Sequence, residues 1–62
     1  MKVTLKMLRV SRDWSQERAA KEVGVSVTTW RNWERKKSYP DVVAIANIEK
    51  VFNVSYDDII FL

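Results

Sequence analysis

The 62-residue sequence predicts an all-α fold, a compact bundle of five short helices forming a single domain over residues 1–62. Three observations carry that expectation. No stretch alternates polar and apolar residues in the manner of a half-buried strand. Each candidate helix opens on a side chain able to cap it, and its end is marked by a residue able to stop it. The segment from Gln16 to Arg35 holds two helix-length pieces separated by a turn too short for anything but a steep crossing.

Thr4 is placed to cap a first helix from Leu5 to about Arg12, with Leu5 and Leu8 on one face and Asp13 near its end. Ser15 caps the second, Gln16 to Val23, whose apolar positions are Ala19, Ala20 and Val23. Gly24 follows where a helix ends in the left-handed conformation that glycine enters without a Cβ penalty. Ser26 caps the third helix, Val27 to about Arg35, and Val25 before it can staple onto Trp30. Where the two helices cross, the contact residue must be small, and Ala20 suits that place. Trp30 and Trp33, three apart, fill the inner face of the third helix. Apolar spacing assigns them and Trp14 to the core in preference to base stacking. The outer face then carries Thr28, Arg31, Asn32 and Arg35, at i, i+3, i+4 and i+7. This is the pattern of a helix-turn-helix over residues 16–35.

Lys36-Lys37-Ser38-Tyr39-Pro40 reads as a basic loop, since Pro40 excludes helix just before it. Asp41 caps a fourth helix to about Phe52 with a principal stripe of Val42, Ile45, Ile48 and Phe52. Val43, Ala44, Ala46 and Val51 widen the stripe until the helix is apolar on most sides, which predicts central burial or a shared surface. Val54 as staple, Ser55 as cap and Asp57-Asp58 in the first turn predict a short fifth helix from about Tyr56. The last residues, Ile59, Ile60, Phe61 and Leu62, either fold back on the fourth helix or meet a second copy. Four apolar residues are hard to bury in so small a domain, so a dimer contact is the favoured expectation.

Composition excludes several function classes. A chain this short buries only about 60% of its unfolded surface, and with no cysteine it has no disulfide or thiolate metal site as a staple. Histidine is absent too, which removes the commonest metal ligand and general base. No catalytic residues, metal, cofactor or small-molecule ligand are expected, and an enzyme is the least favoured class, because nothing groups the remaining carboxylates and lysines. Apolar runs are far shorter than a bilayer span, so no membrane partner is expected. Met1 leads into Lys2-Val3-Thr4-Leu5 without the apolar core of a signal peptide, and a cytoplasmic protein is the expectation.

The net charge of +3 is unevenly distributed. Residues 1–40 hold ten Lys or Arg against four Asp or Glu, a balance of +6, whereas residues 41–62 hold one against four, a balance of −3. A basic half that coincides with the helix-turn-helix points to a polyanionic partner.

An ordered set of residues resembles the Cro and lambda-repressor type of helix-turn-helix, also called the xenobiotic-response-element type, over nearly the whole chain. It comprises Leu5-Lys6-Met7-Leu8-Arg9, Trp14-Ser15-Gln16-Glu17, Ala20, Val23-Gly24-Val25-Ser26, Trp30, Trp33-Glu34-Arg35, Pro40-Asp41-Val42 and Phe52-Asn53-Val54-Ser55. The resemblance implies a compact five-helix, lambda-repressor-like domain that binds double-stranded DNA as a homodimer to regulate transcription, as a repressor on a roughly palindromic operator. By the same resemblance Gln16 contacts a phosphate and helps position a base reader, and Val27, Thr28 and Asn32 occupy positions that reach base edges. Arg31 lies on the same face, where its fork suits guanine O6 and N7. Arg35, Lys36, Lys37 and Ser38 lie where the family grips the sugar-phosphate backbone, and Arg9 with Glu34 matches an internal salt bridge.

The sequence also departs from the family. Val27 stands where many relatives use a polar reader, Lys36 and Asp13 replace glycines, Glu49 replaces a small residue, and Ala19 replaces a leucine beside three tryptophans. A second reading, from another class, is a protein-interaction module of antitoxin or anti-repressor type that works through the apolar C-terminal surface. Loss of polar readers would favour it, and Gln16, Thr28, Arg31 and Asn32 weigh against it.

Overall fold

The computed structural model describes residues 2–61 and contains four α-helices, α1 (Leu5–Ser11), α2 (Gln16–Val23), α3 (Val27–Glu34) and α4 (Val42–Phe52). Each opens on a capping side chain: Thr4, Ser15, Ser26 and Asp41 accept from Met7, Arg18, Thr29 and Ala44 N–H in turn. Such a cap stabilises its helix by about 1 kcal/mol. In a domain of this size four of them are a large share of the net stability.

A left-handed residue follows each of the four helices. Gly24 (φ 88°) closes α2, and Val25 N–H reaches the carbonyl of Ala20 over 2.9 Å. Asn53 (φ 52°) closes α4, with Val54 N–H on the Glu49 carbonyl at 3.2 Å. Beyond α3 the left-handed residue is Lys36 (φ 62°), and Lys37 N–H returns to the Asn32 carbonyl at 2.9 Å. Asp13 (φ 57°) turns the chain between α1 and α2 in the same way.

A run of rings organises the core. Trp30, fully buried, lies 5.7 Å from Trp33 and 6.2 Å from Phe52, and Phe52 lies 5.5 Å from Trp14. These centroid separations suit tilted aromatic pairs. Ala19 and Ala20 are buried with them, so α2 presents a nearly flat face on which α3 and α4 pack. Trp14 stays half-buried, with the guanidinium groups of Arg12 and Arg18 lying 5.5 and 4.9 Å from its ring centre. Its interior face is core and its outer face is covered by cations.

Three expectations are corrected. The fifth helix is a single 3-10 turn, Tyr56–Asp58, which Ser55 caps. The chain then extends, and Ile59 forms a parallel bridge with Val3, with Val3 N–H on the Asp58 carbonyl at 2.8 Å and Ile60 N–H on the Val3 carbonyl at 2.7 Å. Pairing with the N-terminal segment satisfies the backbone that another helical turn would have used. Second, α4 buries Ala44, Ile48 and Phe52, whereas Val42 is 83% exposed and Val43 70% exposed. Both valines face solvent at the start of the helix, so the principal stripe begins at Ala44. Third, Ile59 is buried in the core beside that bridge and leaves the candidate dimer set. Ile60 is exposed and Phe61 half-buried, while Leu62 lies outside the described residues. Glu49, which departs from the family pattern, accepts Tyr56 N–H at 2.8 Å and thereby fixes the start of the 3-10 turn.

Candidate nucleic-acid interface

The charged scaffold of the site begins inside the domain. Arg9 on α1 and Glu34 at the end of α3 meet through two bonds, Nε to Oε2 at 2.7 Å and Nη2 to Oε1 at 3.3 Å. Glu34 also accepts from Trp30 Nε1 and, at 3.2 Å, from Gln16 Nε2. Burial alone would raise the pKa of this carboxyl group. The donors from Arg9, Trp30 and Gln16, together with the Arg9 charge, outweigh it and hold the pKa below the ordinary glutamate value. Glu34 is therefore an ionised hub that ties α1, α2 and α3 together.

Gln16 extends this hub to the surface. Its Oε1 accepts Arg31 Nε at 3.1 Å, so one amide group connects Glu34 to the outer face of α3. A second acid, Glu17, lies 3.7 Å from Arg31 Nη2. Two residues of the first turn of α2 thus meet the same edge of the Arg31 guanidinium. Reading the sequence did not single out Glu17. The available signal was its place directly after Gln16 at a helix start, next to the turn that brings α3 alongside.

The remaining expected contacts divide by position. Thr28, in the first turn of α3, is exposed, as are Arg35, Lys36 and Lys37 after its C-terminal end, where Asn32 and Ser38 are half-buried. The left-handed turn at Lys36 redirects the chain directly after α3, which keeps Arg35, Lys36 and Lys37 consecutive on the surface next to Asn32. Val27 differs from its neighbours, being half-buried and packed against the core. A β-branched residue in the first turn of α3 covers the aromatic core from that side, and this accounts for an apolar residue at a family reading position.

A separate apolar surface is formed by residues that follow α3. Tyr39, Pro40, Ile45, Tyr56 and Phe61 line a cleft of about 390 Å³, with Tyr56 stacked 5.8 Å from Phe61. Val42 and Ile60 are exposed as well. Among the described residues there is no group of His, Cys, Asp and Glu able to hold a metal ion, and no helix long and apolar enough to cross a membrane.

Comparison with known proteins places this geometry in a family. The helix-turn-helix family profile matches residues 5–59, which takes in all four helices and the 3-10 turn. The chain is similar to the HTH-type transcriptional activator BcrR of Enterococcus faecalis, at 34% identity over 56 residues. That match covers 90% of this chain and 28% of the relative, so the chain spans a little over a quarter of the curated protein. No solved structure gives a significant match.

Proposed function

The chain belongs to the Cro/C1-type helix-turn-helix family, and from that membership we propose that it is a sequence-specific, DNA-binding transcriptional regulator whose α3 enters the major groove. One observation carries the proposal. Arg31, which shares an outward stripe with Thr28, Asn32 and Arg35, is tied through Gln16 to Glu34 and the core, and the stripe is followed by Lys36 and Lys37. Polar side chains held in fixed orientation read base edges, and adjoining cations neutralise phosphates without regard to sequence.

In this reading Arg31, Asn32 and Thr28 face bases, and Val27 contributes apolar contact of the kind a thymine methyl accepts. Arg35, Lys36, Lys37, Ser38 and the start of α2 at Gln16 set register on the backbone. A second copy of the chain is the proposed protein partner, meeting the first across the apolar surface of Ile60, Phe61, Tyr56 and Tyr39. Two recognition helices then lie about 34 Å apart on a roughly palindromic operator. Repression is the proposed sign of regulation, because a domain seated over a promoter excludes other proteins by occupancy. The activator name belongs to a relative of which the match spans 28%.

The alternative, a protein-interaction module, has in its favour the exposure of Val42 and Val43 on α4. Selection of binding sites from random duplex DNA separates the two. Recovery of a symmetric motif, with affinity that falls steeply as salt rises, supports the regulator. Failure to enrich any sequence, with no binding even at low salt, overturns it and leaves the interaction module.

A further inference from the structure

We infer that Glu17 is a positioning residue for the base-reading arginine: it holds the guanidinium of Arg31 in register for one base pair and, as an acid on the DNA-facing side, weakens binding to all other sequence. This rests on the proposal that Arg31 reads a base.

The argument starts from the donors of Arg31. A guanidinium has five N–H donors in a rigid fork. Gln16 Oε1 takes Nε at 3.1 Å, and the Glu17 carboxylate lies 3.7 Å from Nη2. With that side of the fork engaged, the end formed by Nη1 and the outer hydrogen of Nη2 remains for a two-point contact, the geometry that guanine O6 and N7 accept. A long arginine otherwise loses rotamer freedom when it docks, and an arginine already held on its side loses less.

Fold stability does not account for this contact. Arg31 and Glu17 are 40% and 68% exposed, and pairs so exposed contribute little to folding. An acid in the first turn of α2 also suits the helix dipole, but that role requires no approach to Arg31. The carboxylate lies beside the surface that receives a polyanion, where it repels phosphate. The repulsion is offset only where Arg31 finds its base, so Glu17 acts against wrong sequences as well as for the right one.

The test is a competition panel at one fixed salt concentration. The selected operator, its single-base-pair variants and a random duplex are titrated with the wild type, Glu17→Gln, Arg31→Ala, the double variant and Glu22→Gln. Arg31→Ala identifies the base pair that Arg31 reads. At that pair, and at no other, Glu17→Gln is expected to lose discrimination by about threefold or more. It should also bind the random duplex about two- to fivefold tighter, for want of one repelling charge. In the Arg31→Ala background, Glu17→Gln still tightens random binding but removes no further discrimination. Glu22, which pairs with Arg18 on the same helix, serves as the control acid, and Glu22→Gln leaves discrimination unchanged. Full retention of discrimination by Glu17→Gln at the Arg31-dependent pair overturns the inference while base reading stands. If Arg31→Ala costs no pair-specific discrimination, base reading by Arg31 falls and the inference falls with it.

Discussion

Arg9 grips Glu34 with two of its nitrogens and donates the third, Nη1, to the carbonyl of Trp14 at 2.9 Å. The side chains are 14% and 6% exposed, so this is a largely buried ion pair whose remaining capacity is met by Trp30 and Gln16. No buried side-chain nitrogen or oxygen among the described residues lacks a partner. Fully satisfied buried networks fix geometry, and this one fixes the angle at which α3 leaves the domain.

Arg9→Lys tests the fork. An ammonium keeps the charge but, as a point donor, cannot span both carboxylate oxygens and the Trp14 carbonyl at once. The expected loss is about 1–2 kcal/mol, read as a melting temperature lower by about 5–15 °C in a domain of this size. An unchanged melting curve would show that packing alone seats α1.

The pH dependence follows from Glu34. Its pKa in the folded state is lowered, so its charged form is stabilised by folding and stability is lost as protons return. The contribution is fully present above the unfolded glutamate value, about 4.3, and disappears as pH falls through the lower folded value. Breaking such a pair from one side costs about 3 kcal/mol or more. Urea unfolding of the wild type and Glu34→Gln should therefore differ at pH 7, and the gap should narrow as pH falls below the unfolded glutamate value and through the lower folded one. A gap that stays constant over the acid range would remove Glu34 as the source.

Lys36 carries a cost in the fold, and in the proposed function its charge offsets that cost in binding. Its φ of 62° is a conformation that glycine enters freely and lysine does not. Lys36→Gly relieves about 1–2 kcal/mol of strain and adds about 0.5–1 kcal/mol of unfolded-chain freedom. Net stabilisation of about 0.5–1 kcal/mol is expected. The same variant loses one cation, so the slope of log affinity against log salt should fall by about one. Stability and DNA affinity moving in the same direction would contradict this division.

The sequence made the helices legible wherever a capping side chain and a stop residue bounded an apolar period. Ser15, Gly24 and Ser26 define α2 and the start of α3 to the residue. The C-terminal end was less legible because Ser55 and the two acids after it start a helical turn without deciding its length. What ends the turn is the pairing of Ile59 with Val3, a contact across the whole chain that no local pattern announces. Val42 misled for a similar reason: it fits the apolar period of α4, but nothing in the sequence says that its side of the first turn is left uncovered. At the site, the family pattern supplies Arg9 and Glu34 as a pair and Gln16 as a positioning residue. That Gln16 bonds Glu34 as well as Arg31, and that Glu17 approaches Arg31, appears only once the turn brings α2 and α3 together.

In the proposed function Asn32 and Lys37 divide base reading and backbone attraction between them within a few residues of chain. Asn32 lies on the outer face of α3, and its backbone carbonyl already anchors Lys37 N–H, so a change confined to the Asn32 side chain leaves the turn intact. Asn32→Ala is expected to cost about 1–3 kcal/mol on the selected operator and little on random duplex. Lys37→Ala is expected to weaken both alike and to reduce the salt slope by about one. Titrations of the two variants on both duplexes, at several salt concentrations, give all four values. Equal losses on operator and random DNA for Asn32→Ala would remove it from the reading face, and a sequence-dependent loss for Lys37→Ala would move that lysine from the backbone to a base.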